Sequence, residues 1–140
     1  MASRRDMLLE DGLAEAPDRA MTAHVLRVLV VEDSPEIGRA TSRLLHRRDC
    51  TVVVATTAGE ARATLAIHTF DAVLCDYNLE TETSEALLVE IADAHPHVRR
   101  VLYTGSDVAH LDHLLARGAV HAILEKTVPL EELIAELHRA

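Results

Sequence analysis

Short apolar runs alternate with helical stripes along most of this chain. Val-Leu-Arg-Val-Leu-Val-Val fills positions 25–31 and stops at Glu32-Asp33. Phe70 to Cys75 stops at Asp76, and Ala119 to Leu124 stops at Glu125-Lys126. Thr51 to Ala55 and Arg99 to Thr104 are two further runs. Brief β-branched runs without polar alternation predict parallel strands buried on both faces.

Between the runs the period changes to that of a helix. Ser34 is placed to cap a helix with Pro35 at its first position, and Ile37, Ala40, Leu44 and Leu45 form its apolar stripe. Thr57 to His68 repeats the pattern with Ala58, Ala61, Leu65 and Ala66, and Ser84 to His95 with Leu87, Leu88 and Ile91 before Pro96 stops it. Val108 to Arg117 predicts a fourth helix closed by Gly118. Pro129-Leu130 opens a fifth, with Leu133, Ile134 and Leu137 inward. Five βα units joined by right-handed crossovers predict an α/β doubly wound parallel sheet in the order 2-1-3-4-5. Residues 1–23 break the pattern: charged residues, Gly12 and Pro17 surround one Met7-Leu8-Leu9 cluster, so a flexible N-terminal extension is expected before a single domain at 24–140.

Composition narrows the function classes. With 49% hydrophobic but 2% aromatic residues, the core must be built from Val, Leu, Ile and Ala. A formal net charge of -9 argues against a nucleic-acid surface, which needs a basic face. Cys50 and Cys75 lack metal-ligand spacing and are expected to be inert, buried thiols. No apolar run approaches the roughly 20 residues of a membrane span and none resembles a secretion signal, so no membrane insertion and a cytoplasmic location are expected.

In open α/β sheets, ligands bind beyond the carboxyl ends of the strands. That rule gathers Glu32, Asp33, Asp76 and Lys126 in one crevice, although they are far apart in sequence. Carboxylates about 4 Å apart repel by on the order of 4 kcal/mol per pair at an effective dielectric near 20. A divalent cation would relieve this, and an all-oxygen donor set suits Mg2+. Lys126 can pair with a carboxylate and later with a phosphoryl oxygen, while Thr104-Gly105 offers a hydroxyl and backbone N–H groups to an anion. Ser34, Ser84 and Ser106 have no evident histidine partner for acyl transfer. His110 and His113 share a helix face but are expected to be solvated rather than ligating.

An acidic pair after strand one, Asp after strand three, Thr after strand four and Lys after strand five resembles the receiver domain of two-component response regulators. Here the motif reads Glu32-Asp33, Asp76, Thr104 and Lys126, and the likeness covers residues 25–140. The resemblance implies a flavodoxin-like fold and a signalling role, not an enzyme. Asp76 would accept a phosphoryl group from a histidine kinase or a histidine phosphotransfer protein, followed by Mg2+-dependent self-dephosphorylation. Asp33 and Asp76 would hold Mg2+ directly with the backbone carbonyl of Asn78, and Glu32 through water. Thr104 and Lys126 would hold phosphoryl oxygens, and Asn78 and Ser106 would set water access and so dephosphorylation. Output would run through protein contacts, with a downstream protein or a phosphorylation-dependent dimer as partner.

Three departures from the family stand out. Glu80 and Ser84 replace a proline and a glycine in the loop after Asp76. Thr127 replaces the proline after the lysine, where a cis bond would cost about 2.5–4 kcal/mol, so distortion or a strained bond is expected there. Ile123 replaces an aromatic switch residue. Two other readings compete: a phosphorylation-independent interaction module on the same fold, and a phosphohydrolase, which would need an acid where Asn78 stands.

Overall fold

All five apolar runs become strands of one sheet. The computed structural model describes residues 25–79, 82–105 and 108–139. β1 (Leu26–Val31), β2 (Cys50–Ala55), β3 (Ala72–Cys75), β4 (Arg99–Thr104) and β5 (Ala122–Glu125) pair in parallel in the order β2-β1-β3-β4-β5. The helices are α1 (Pro35–His46), α2 (Ala58–Ile67), α3 (Glu85–Ala94), α4 (Asp112–Ala116) and α5 (Leu130–His138). The extension at 1–23, Glu80 and Ser106 lie outside the described residues.

The sheet divides the core in two, because successive side chains on a strand point to opposite faces. On one side Leu29, Val31, Val73, Cys75 and Leu102 meet Ala61 and Leu65 of α2, Leu87, Leu88 and Ile91 of α3, and Leu114 of α4. On the other, Val28, Val30, Leu74 and Val101 meet Leu45 of α1 and Leu133 and Leu137 of α5. The central strands are buried on both faces, which is why they carry no polar alternation.

Local signals place the helix starts and stops. The Ser34 hydroxyl accepts the Ile37 N–H at 3.3 Å with Pro35 at the first helical position, as expected. Gly118 takes φ +77°, the left-handed conformation that terminates α4. Four expectations need correction. The inward residues of α1 are Gly38, Thr41 and Leu45, whereas Ile37 and Leu44 are 43% and 41% exposed and Ala40 also faces out. Ala66 is likewise exposed beyond α2's buried stripe. The fourth helix is short: a 3-10 turn at Ala109–Leu111 precedes α4, and the run at 119–124 enters the sheet only from Ala122. Ala119 and Val120 are buried, but their N–H groups bond the Leu114 carbonyl at 2.9 and 3.3 Å, so they finish the helix instead of starting the strand.

Candidate functional site at the carboxyl ends of the strands

Strand register brings the distant acidic residues together. Val31 pairs with Cys75, and the Asp76 N–H bonds the Val31 carbonyl at 3.0 Å, so Glu32 and Asp76 leave neighbouring strands side by side. On the far side, Thr104 pairs with Glu125 and the Lys126 N–H bonds the Thr104 carbonyl at 2.9 Å. Carboxylate oxygens of Glu32, Asp33 and Asp76 lie within 4.8 Å of one another, the one such metal-suited cluster among the described residues. Lys126 reaches back over them: its Nζ donates to Glu32 Oε1 at 2.8 Å and to Asp76 Oδ2 at 3.1 Å.

The electrostatics follow from that geometry. Burial raises the Glu32 carboxyl above its ordinary value; the Lys126 hydrogen bond and the Ser34 N–H at 3.3 Å oppose this, while the Asp76 charge adds to it. Burial alone would lower the Lys126 ammonium, yet its bonds to Glu32 and Asp76 outweigh that and hold it above its ordinary value. Three carboxylates against one ammonium leave an excess of negative charge, and Asp33 is half-buried at the rim. A hard, all-oxygen, net anionic donor set of this kind suits a divalent cation such as Mg2+. Cys75, directly before Asp76, is fully buried, and that burial pushes its thiol up to about 12, so it is inert at neutral pH.

The loop beyond Asp76 doubles back on itself. The Asn78 N–H approaches Asp76 Oδ1 at 3.4 Å, Asn78 bridges Thr83, and the Ser84 N–H bonds the Tyr77 carbonyl at 2.9 Å. Asn78 is therefore exposed beside the Asp76 carboxylate. Thr104 is fully buried at the end of β4, beside exposed Gly105.

The sequence model of the response regulator receiver domain matches residues 28–138. This chain belongs to that family. No curated protein matches it in sequence. Solved receivers share the fold. A CheY-like receiver domain protein from Methanospirillum hungatei is 24% identical, with a TM-score of 0.75, over 81% of this chain and 91% of its own. The response regulator TrrA from Thermotoga maritima, solved with Mg2+-BeF, is 22% identical, with a TM-score of 0.70, over 80% of this chain and 98% of its own. A response regulator from Burkholderia pseudomallei, solved with a phosphorylated aspartic acid, calcium ion and citrate, is 22% identical, with a TM-score of 0.75, over 81% of this chain and 66% of its own.

Among the receiver's departures, two resolve simply. Ser84 stands at the N-cap position of α3 without a side-chain capping bond, at φ -85°, a conformation open to any residue, so no glycine is required there. The Lys126–Thr127 peptide is trans, and the strained bond expected from the missing proline is absent. A turn closed by the Val128 N–H on the Glu125 carbonyl at 3.0 Å carries the chain into α5 instead. His110 and His113 belong to no metal-suited cluster among the described residues: His113 meets Glu85 at 3.2 Å, and the His110 ring packs edge-on to Tyr77. Tyr103 precedes Thr104 in β4 and is half-buried. Its hydroxyl donates to the Lys126 carbonyl at 3.4 Å, a contact no spacing rule reveals.

Proposed function

We propose that this receiver accepts a phosphoryl group on Asp76 from the phosphohistidine of a kinase or phosphotransfer protein, in the cytoplasm, and signals through protein contacts. The observation that carries this reading is the Lys126 ammonium bonded to Asp76 inside a cluster of three carboxylates. In the transfer a carboxylate oxygen of Asp76 bonds to phosphorus as the P–N bond to the donor imidazole breaks, its electron pair staying on that nitrogen. Transfer of this kind needs positioning and charge neutralisation more than covalent chemistry. Lys126 exchanges its carboxylate contact for a phosphoryl oxygen, and the Thr104 hydroxyl donates to another. Asp33 and Asp76, with the Asn78 carbonyl and Glu32, would hold Mg2+, which supplies neutralisation of the incoming phosphoryl charge. By the family resemblance, Asn78 and Ser106 set the lifetime of the product.

Incubation with acetyl phosphate and Mg2+ tests the reading by intact mass. We expect a single phosphoryl gain on the natural chain and none on Asp76→Asn, with the fold of both unchanged by circular dichroism. Undiminished labelling of Asp76→Asn would refute the assignment. Absence of label on the natural chain would favour a phosphate-independent interaction module.

A further inference from the structure

We infer that Tyr103 is a positioning residue for Lys126, acting through the peptide carbonyl rather than through the ammonium. This deepens the proposed phosphoacceptor reading and rests on it.

The Lys126 side chain must span from β5 to carboxylates that leave β1 and β3, so the direction in which it leaves the backbone decides whether it arrives. Both peptide groups that flank its Cα are tied to β4. On one side the Lys126 N–H bonds the Thr104 carbonyl at 2.9 Å. On the other the Tyr103 hydroxyl donates to the Lys126 carbonyl at 3.4 Å. Two adjacent residues of one strand thus fix φ and ψ of the lysine between them. The second tie is needed because the residue after Lys126 is Thr127. A proline there would restrict ψ of the lysine by its own ring, whereas threonine leaves it open, and the peptide is trans.

The Tyr103 ring is well placed for the task. Its neighbours Leu102 and Thr104 turn to the α2–α4 side of the sheet, whereas Tyr103 is half-buried among the α1 and α5 residues, in the same cluster as Val128 and Leu130. Packing anchors the ring, so the hydroxyl is presented to the turn at little entropic cost. At 3.4 Å the bond is long, which puts the expected effect toward the modest end.

The test compares the natural chain with Tyr103→Phe, which keeps the ring and removes the donor. With acetyl phosphate and Mg2+, we expect the maximal labelling rate to fall about three- to tenfold, while the donor concentration for half-maximal rate and the melting temperature stay unchanged. NMR supplies the readouts a merely packing role would not move. The Lys126 carbonyl carbon should shift, and its ammonium protons should exchange faster with water as the bonds to Glu32 and Asp76 loosen. Unchanged labelling, or an unchanged Lys126 carbonyl signal, would overturn the inference. Should the natural chain take no label at all, the phosphoacceptor reading fails by itself. The positioning claim then stands or falls on ammonium exchange, which must still be faster in Tyr103→Phe.

Discussion

Arg100 carries a charge into the interior without a carboxylate to meet it among the described residues. Its guanidinium, in a residue 6% exposed, donates to the carbonyls of Val98 at 2.9 Å, Ala119 at 3.0 Å and Gly118 at 3.2 Å. These carbonyls belong to the segments that lead into β4 and β5, so one side chain fastens the amino-terminal ends of both. Arg100→Met keeps the stem and removes the donors. At about 1–3 kcal/mol for a buried acceptor left bare, we expect a loss of roughly 3 kcal/mol in urea melts at unchanged m-value. The same residue's N–H donates to His121 Nδ1 at 2.9 Å, which requires that nitrogen unprotonated. Burial, and then the Arg100 and Arg99 guanidiniums, hold His121 below its ordinary 6.5. The unfolded chain therefore takes up the proton first as pH falls. Stability present above pH 6.5 is lost as pH drops through the folded-state value. Urea melts at pH 7.5 and 5.5 should show this loss, and His121→Gln, which can still accept the N–H, should reduce it. Equal losses in both proteins would exclude His121 as the source.

At the scale of elements, the strands were legible because parallel central strands carry a signal that survives tertiary context. Val28 to Val31 and Ala72 to Cys75 are buried on both faces, and their runs say so directly. Helix faces were less legible. In α1 the packed face uses Gly38, where an added Cβ would sit 3.0 Å from Val54 Cγ1, and Thr41, so the residues nearest the sheet are those an apolar count overlooks. The stripe it does count, Ile37 and Leu44, is turned partly to solvent. Apolar residues at 119 and 120 are buried, as a strand would be, yet their hydrogen bonds belong to the helix before them. Burial and pairing are separate questions, and sequence pattern answers mainly the first. The site followed a different logic. Glu32, Asp33, Asp76, Thr104 and Lys126 could be placed together because topology alone gathers strand ends. Which atoms touch depends on side-chain reach, so the Lys126 bridge and the Tyr103 contact needed coordinates.

For the molecule as a whole, we expect the acidic crevice to make stability responsive to divalent cations. A ligand that binds only the native state at ten times its Kd adds about 1.4 kcal/mol. Melts in millimolar Mg2+ should therefore rise by a few degrees for the natural chain and stay level for Asp33→Ala; equal rises would place the metal elsewhere. The partition of charges across the sheet has one more consequence. The anions follow β1 and β3 in the middle of the sheet, whereas the lysine that steadies them comes from the turn after β5, one of the sheet's two edge strands. If that strand frays from β4, the carboxylates lose their ammonium while their own strands stay paired, and the crevice turns self-repulsive as the edge opens. Chemical competence is thus bound to completion of the sheet. The rate at which Asp76 takes up label would serve as a gauge of edge-strand integrity, sensitive to damage many residues from the acceptor itself.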